Sequence, residues 1–150
     1  MREILFRGKR FSNGEWVIGG IMKTFHPNYD CGNEEEFLSQ SPNCYCICAN
    51  NKDYFVEQAS IGQYTGLTDK NGTKIFEGDI VKVERDFWHG ENKKEREIFI
   101  GVVCYDERSA DFGLKGAKYM NLTMHRFKGD YQTVIGNIHD NPELLGGGEE

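Results

Sequence analysis

Within the first 72 residues, the asparagine-centred segments Asn13-Gly14, Asn50-Asn51 and Asn71-Gly72 interrupt short runs rich in apolar, aromatic and β-branched residues. Asn and Gly accept the positive φ angles that a tight strand reversal needs, so a chain punctuated this way is steered towards antiparallel hairpins. "ILFRGKRF" and "EWVIGGIMKTF" form the first expected hairpin, and "CYCICA" and "YFVEQ" the second. The turn at Asn71-Gly72 leads into the strand "DIVKVE". Gly19-Gly20, inside an expected strand, signals a bulge or a close backbone approach.

Further along, "IFIGVVCY" is an almost continuous apolar run and reads as a strand buried on both faces. "YMNLTMHRF" and "YQTVIGNI" read as strands, whereas "FWHGENKKERE" and "DERSADFGLKGAK" read as loops. The polar stretch from His26 to Asn43 is long for a connection and has room for a short helix around "EEEFLSQ". In "DNPELL", Asp140 or Asn141 can cap, Pro142 suits the first helical position and Glu143 favours a helix N-terminus. With 18 Gly, 3 Pro and 13% aromatic residues in 150, the expected fold class is mainly β. It comprises an antiparallel meander, a small half-open barrel-like lobe and a short C-terminal helix. The expected organisation is an N-terminal β lobe over 1–60, a C-terminal β lobe over 61–145 and a flexible tail over 146–150.

The opening "MREILFRGKR" has charges at Arg2, Glu3, Arg7 and Lys9, so neither a signal peptide nor a membrane span can be drawn there. An odd count of five cysteines with no leader points to reduced thiols in a cytoplasm. The net charge of −6 argues against a broad nucleic-acid surface. Locally, "LKGAKYMNLTMHRFKG" has no acid and interleaves Lys115, Lys118, Arg126 and Lys128 with Tyr119 and Phe127. Single-stranded nucleic acid is held by such a mixture of stacking faces and phosphate partners.

The segment "GQYTGLTDKNGTKIFEGDIV", residues 62–81, has the look of a ligand loop, with carboxylates Asp69, Glu77 and Asp79 among glycines. Aligning Gly72 with the sixth position of a calcium loop puts Leu67 at the first ligand and Gly78 at the twelfth, so both anchoring positions fail. No phosphate-loop pattern is present either. The residues are read as architecture, with Gly, Asn and Asp turning corners for backbone reasons.

Cys44, Cys46 and Cys48 alternate on one expected strand face, and Cys31 and His26 precede them. A C-x-C pair on a flat strand holds its sulfurs too far apart for a zinc tetrahedron, so these thiols are read as a buried small-residue face and no metal is assigned. None of the four histidines lies in a nucleophile motif, and the carboxylates fall in turns and charged stretches, so no catalytic residue is assigned.

"MREILFRGK", "GEWVIGGI" at 14–21, "IGQYTGLTDKNGTKIFEGDIV" at 61–81 and "VIGNIHDNPELL" at 134–145 together resemble the YopX-like proteins of phages and prophages. The stretch from Phe87 to Lys128 departs from that pattern and takes no role from it. The resemblance implies a homo-oligomeric accessory protein in the cytoplasm of an infected or lysogenic bacterium, with no established enzymatic activity and no cofactor. The expected function is a non-enzymatic, self-associating binding or structural protein whose assembly uses apolar strand faces and exposed edges. The alternative is a nucleic-acid-associated module using Lys115, Lys118, Tyr119, Arg126, Phe127 and Lys128, and an enzyme ranks third.

Overall fold

The computed structural model describes residues 3–24, 44–89, 93–116, 122–124 and 131–145. The chain is mainly β, built as antiparallel sheets, and its contacts divide it into two units, Met1–Tyr64 and Thr65–Glu150. Among the described residues no helix is long and apolar enough to cross a membrane.

In the first unit, strands β1 (Phe6–Lys9), β2 (Trp16–Thr24), β3 (Cys44–Ala49) and β4 (Lys52–Val56) are followed by a 3-10 turn (Gln58–Ser60) and the start of β5 (Gly62–Thr68). Their order is β4-β3-β2-β1-β5. Both expected hairpins form. Gly14 takes φ +71° in the first loop, while Asn50 and Asn51 take φ 52° and 59° in the second, the left-handed pair that matches strand twist in a two-residue reversal. β2 divides its length between two partners, pairing through Gly19 with β1 and from Gly20 onward with β3.

The outer edge of β4 returns to the end of β1. Arg10 bridges Val56, Phe11 N–H donates to Phe55 O at 3.0 Å and Glu57 N–H donates to Lys9 O at 2.9 Å. Ser60 secures the corner, its Oγ accepting from Lys9 N–H at 2.7 Å and donating to Glu57 O at 2.7 Å. Cys46, Ile47, Val56 and Tyr64 are buried in this unit.

In the second unit, the end of β5 lies beside β6 (Lys74–Phe76). β7 (Asp79–His89), β8 (Lys93–Asp106), β9 (Asp111–Lys115), β10 (Leu122–Thr123) and β11 (Gln132–Asn137) form a sheet in the order β10-β9-β8-β7-β11. Ile75, Val81, Val83, Val103, Phe112, Leu114 and Met124 make its core, with Leu67, Phe99 and Val134 packed against it. The expected C-terminal helix is a 3-10 turn, Pro142–Leu145, with Glu143 in its first turn.

Three local expectations are overturned. "FWHGENKKERE", read as a loop, lies largely in the arms of a ribbon, since β7 and β8 pair as far as His89↔Lys93. Opposite charges face each other at the base of the ribbon, at Arg85↔Glu97 and Asp86↔Arg96, a cross-strand pairing that supports strands there. "DERSADFGLKGAK" turns at residues 107–110 and then becomes β9, whose Phe112 and Leu114 are buried. "IFIGVVCY" is not buried on both faces: Val103 is 1% exposed, but Ile98 and Ile100 are 51% and 40% exposed. The expected strand "YMNLTMHRF" is described only at Leu122–Thr123 and Met124. The polar stretch 26–43 and the tail 146–150 lie outside the described residues.

Candidate functional site

The turn between β5 and β6 is organised by the carboxylate of Asp69. Its Oδ1 accepts backbone N–H groups from Asn71 at 2.8 Å and Thr73 at 2.9 Å, and its Oδ2 accepts Val134 N–H of β11 at 3.1 Å. Burial pushes this carboxyl upward, but the hydrogen bonds from Thr73, Val134 and Asn71 outweigh it and hold the pKa below the usual carboxylate range. The adjacent Lys70 N–H donates to Gln132 O at 3.1 Å. Asp69 and Lys70 therefore occupy the side of β11 that faces away from β7, satisfying the edge groups there.

At the next corner, Asp79 acts in a similar way. Its Oδ2 accepts Phe76 N–H at 2.8 Å. Gly78, at φ +79°, donates its N–H to Val103 O at 2.9 Å and accepts Ile138 N–H at 2.9 Å. A backbone pinned on both sides in the left-handed region suits glycine alone. Asp69, Asp79 and Gly78 thus shape the turns of 62–81, the two aspartates by accepting backbone N–H groups. Among the described residues, no group of three His, Cys, Asp or Glu side chains is placed to hold a metal ion.

The cysteines do not share one environment. Cys46 is buried while Cys48, two residues on, is exposed, which corrects the expectation of a uniformly buried face. The difference follows from position, because Cys48 lies opposite Asp53 close to the Asn50-Asn51 turn. The hydrogen bond to Asp53, then burial, then the Asp53 charge push the Cys48 thiol upward. Cys104 is raised by burial, and by Asp106 and Glu77, against an opposing pull from Lys115. Thiols raised in this way are weak nucleophiles at neutral pH. Cys31 and His26 lie outside the described residues, and Cys44 is placed in β3. Alkylation of Cys48 followed by peptide mass spectrometry is expected to be slow at neutral pH and to quicken in Asp53→Asn, because both the hydrogen bond and the charge that favour the protonated thiol are weakened.

Of the expected nucleic-acid-binding residues, Lys115 is exposed at the end of β9, opposite Val102. Lys118, Tyr119, Arg126, Phe127 and Lys128 lie outside the described residues. A different set of cation–aromatic pairs, not foreseen from the sequence, lies in the first unit. The Arg7 guanidinium sits 4.8 Å from the Trp16 ring centre, Arg10 lies 4.6 Å from Tyr54, and Lys23 Nζ lies 5.9 Å from Tyr45. Arg7 and Trp16 are diagonal neighbours in the β1–β2 register, with Arg7 opposite Ile18 and Lys9 opposite Trp16. Only the register reveals that proximity.

The second unit also presents an apolar pair on its surface. Ile98 and Ile100 are alternate residues of β8 and so share a face. Opposite them on β7 are Glu84 and Lys82, joined to each other by an ion pair at 2.9 Å.

A family profile described as YopX protein matches residues 5–146. Among solved structures, the crystal structure of protein EF1440 from Enterococcus faecalis is similar, with a TM-score of 0.52 at 22% identity over 97% of this chain and 99% of that chain. That likeness concerns the fold alone. No curated protein matches the chain.

Proposed function

The chain belongs to the YopX protein family, and from that membership we propose that it is a non-enzymatic, self-associating binding or structural protein. On this reading it is an accessory product of a phage or prophage, working in the cytoplasm of the bacterial host. The observation that carries the reading is the set of large apolar side chains left exposed on strand faces. The outer edge of β4 is bonded back to β1, and the far edge of β11 is bonded to Asp69 and Lys70. Large apolar side chains nevertheless remain in water on strand faces, among them Ile18 and Met22 on β2 and Ile98 and Ile100 on β8. The two covered edges are withheld from strand addition, while exposed apolar faces favour association. Asp69 accepts backbone N–H groups on both of its oxygens, and the raised thiols of Cys48 and Cys104 lack nucleophile activation. Both features support a non-catalytic role.

Multi-angle light scattering on the full chain is the test. The expected mass is a multiple of the 17.2 kDa protomer, and a strict monomer across the concentration range overturns the reading.

A second reading, a nucleic-acid-associated β module, rests on the exposed Lys115 that opens the acid-free stretch 115–128. It predicts that a short single-stranded oligonucleotide binds at low salt and is released as salt rises, because neutralised phosphates release counterions. Absence of binding at low salt ends it.

A further inference from the structure

Resting on the self-association reading, we propose that the outward face of the β7–β8 ribbon is a two-fold interface that a second copy of this chain occupies. Four residues define it. Ile98 lies directly opposite Glu84, and Ile100 directly opposite Lys82. The four therefore form a rectangle with an apolar side on β8 and a charged side on β7. Ile98 and Ile100 are 51% and 40% exposed, and the Lys82 and Glu84 side chains are 37% and 29% exposed.

A two-fold axis lying across the strands, midway between the two cross-strand pairs, maps this rectangle onto itself. Ile98 then meets Ile100 of the second copy, and Ile100 meets Ile98. Glu84 meets Lys82, and Lys82 meets Glu84. Apolar surface covers apolar surface, and every charge in the rectangle meets its opposite, which is the self-complementarity that an isologous interface requires.

An axis running along the strands and centred between them does worse, since it places Ile98 on Glu84 and Ile100 on Lys82. An unrelated partner would need a fresh match to a patch that already matches itself. Next along the ribbon, Arg96 Nε donates to Asp86 Oδ1 at 3.3 Å within the chain. This pair lies at the rim, where rim charges affect association rate and salt dependence more than affinity.

Sedimentation equilibrium on the full chain tests the proposal with two sets of variants. Ile98→Lys and Ile100→Lys, each placing a charge at the centre of the apolar side, are expected to weaken self-association at least tenfold. Both sites are exposed, so the unfolding midpoint of the dissociated chain is expected to stay nearly unchanged. Glu84→Lys and Lys82→Glu, tested singly, set like charges against each other across the axis and are expected to weaken association severalfold. The double variant Lys82→Glu/Glu84→Lys rebuilds both the ion pair within the chain and the pairing across the axis, and is expected to return self-association close to the wild-type level.

If the wild type associates and the isoleucine variants associate equally well, the face is wrong and self-association stands. If the single charge variants weaken association and the double variant does not restore it, the two-fold pairing is overturned. A wild type that stays monomeric overturns both the face and the functional reading beneath it.

Discussion

Asp69→Ala is expected to destabilise the second unit by about 2–3 kcal/mol, since hydrogen bonds to an ionised acceptor contribute about 1.5–3 kcal/mol while the donors on the exposed Asn71 and Thr73 can turn to water. The substitution removes the acceptor for three backbone donors, Asn71, Thr73 and Val134. Two of these bonds close the turn between β5 and β6, and the third ties that turn to β11. Urea unfolding at neutral pH measures the loss as a lowered midpoint with an unchanged slope. Asp69→Asn keeps one acceptor oxygen and is expected to fall between the two proteins.

A pH dependence accompanies this effect. The carboxyl of Asp69 is held below its usual range in the folded protein, so the unfolded chain takes up its proton first as pH falls. The stability contributed by the ionised form is therefore fully present above the unfolded value, about 3.9, and is lost as pH drops through the folded value. The gap between wild type and Asp69→Asn is expected to narrow in strong acid. A gap of constant size down to the acid limit would show that the bonds do not depend on charge.

Gly19→Ala is expected to destabilise the first unit by about 3 kcal/mol or more, at the upper end of overpacking costs, because the obstacle is backbone. A Cβ at Gly19 would stand 2.0 Å from the carbonyl oxygen of Cys48. Gly19 is the residue at which β2 changes partner, with Phe6 of β1 opposite it and Cys48 of β3 opposite the next residue. At that changeover three strands crowd one position, and the bare Cα lets the β3 backbone come close. Gly20 provides the control, since a Cβ there meets nothing within 4 Å. Gly20→Ala is expected to stay within about 0.5 kcal/mol of wild type, as surface substitutions usually do. Thermal unfolding of the two variants side by side measures the contrast, and equal midpoints would mean that β3 shifts away at little cost.

Gly19 and Asp69 also mark how far the sequence can be read. The Gly19-Gly20 pair signals a close approach, but not which glycine needs it or what comes near, because Cys48 reaches that point through a separate hairpin. Asp69 reads as architectural because its neighbours fail every ligand pattern, and in the structure its oxygens accept backbone N–H groups. Its bond to Val134, a residue 65 positions away, has no local trace. The charged run of 87–97 misleads for a related reason: paired strands and an irregular loop can carry the same residues. The Arg7–Trp16 stack and the β8 surface pair both depend on knowing which residues stand opposite one another.

From sequence alone came the antiparallel β character, the hairpin turns at Asn13-Gly14, Asn50-Asn51 and Asn71-Gly72, and the family to which the chain belongs. Turn chemistry can be read this way because a φ preference belongs to one residue and its immediate neighbours. Only the tertiary structure decided that the edge of β11 is covered by the Asp69 turn, that Cys46 is buried while Cys48 is not, and that Ile98 and Ile100 face water. Those outcomes depend on the strands and turns brought alongside from distant parts of the chain, and an apolar residue on a strand carries no mark of whether its face will be covered.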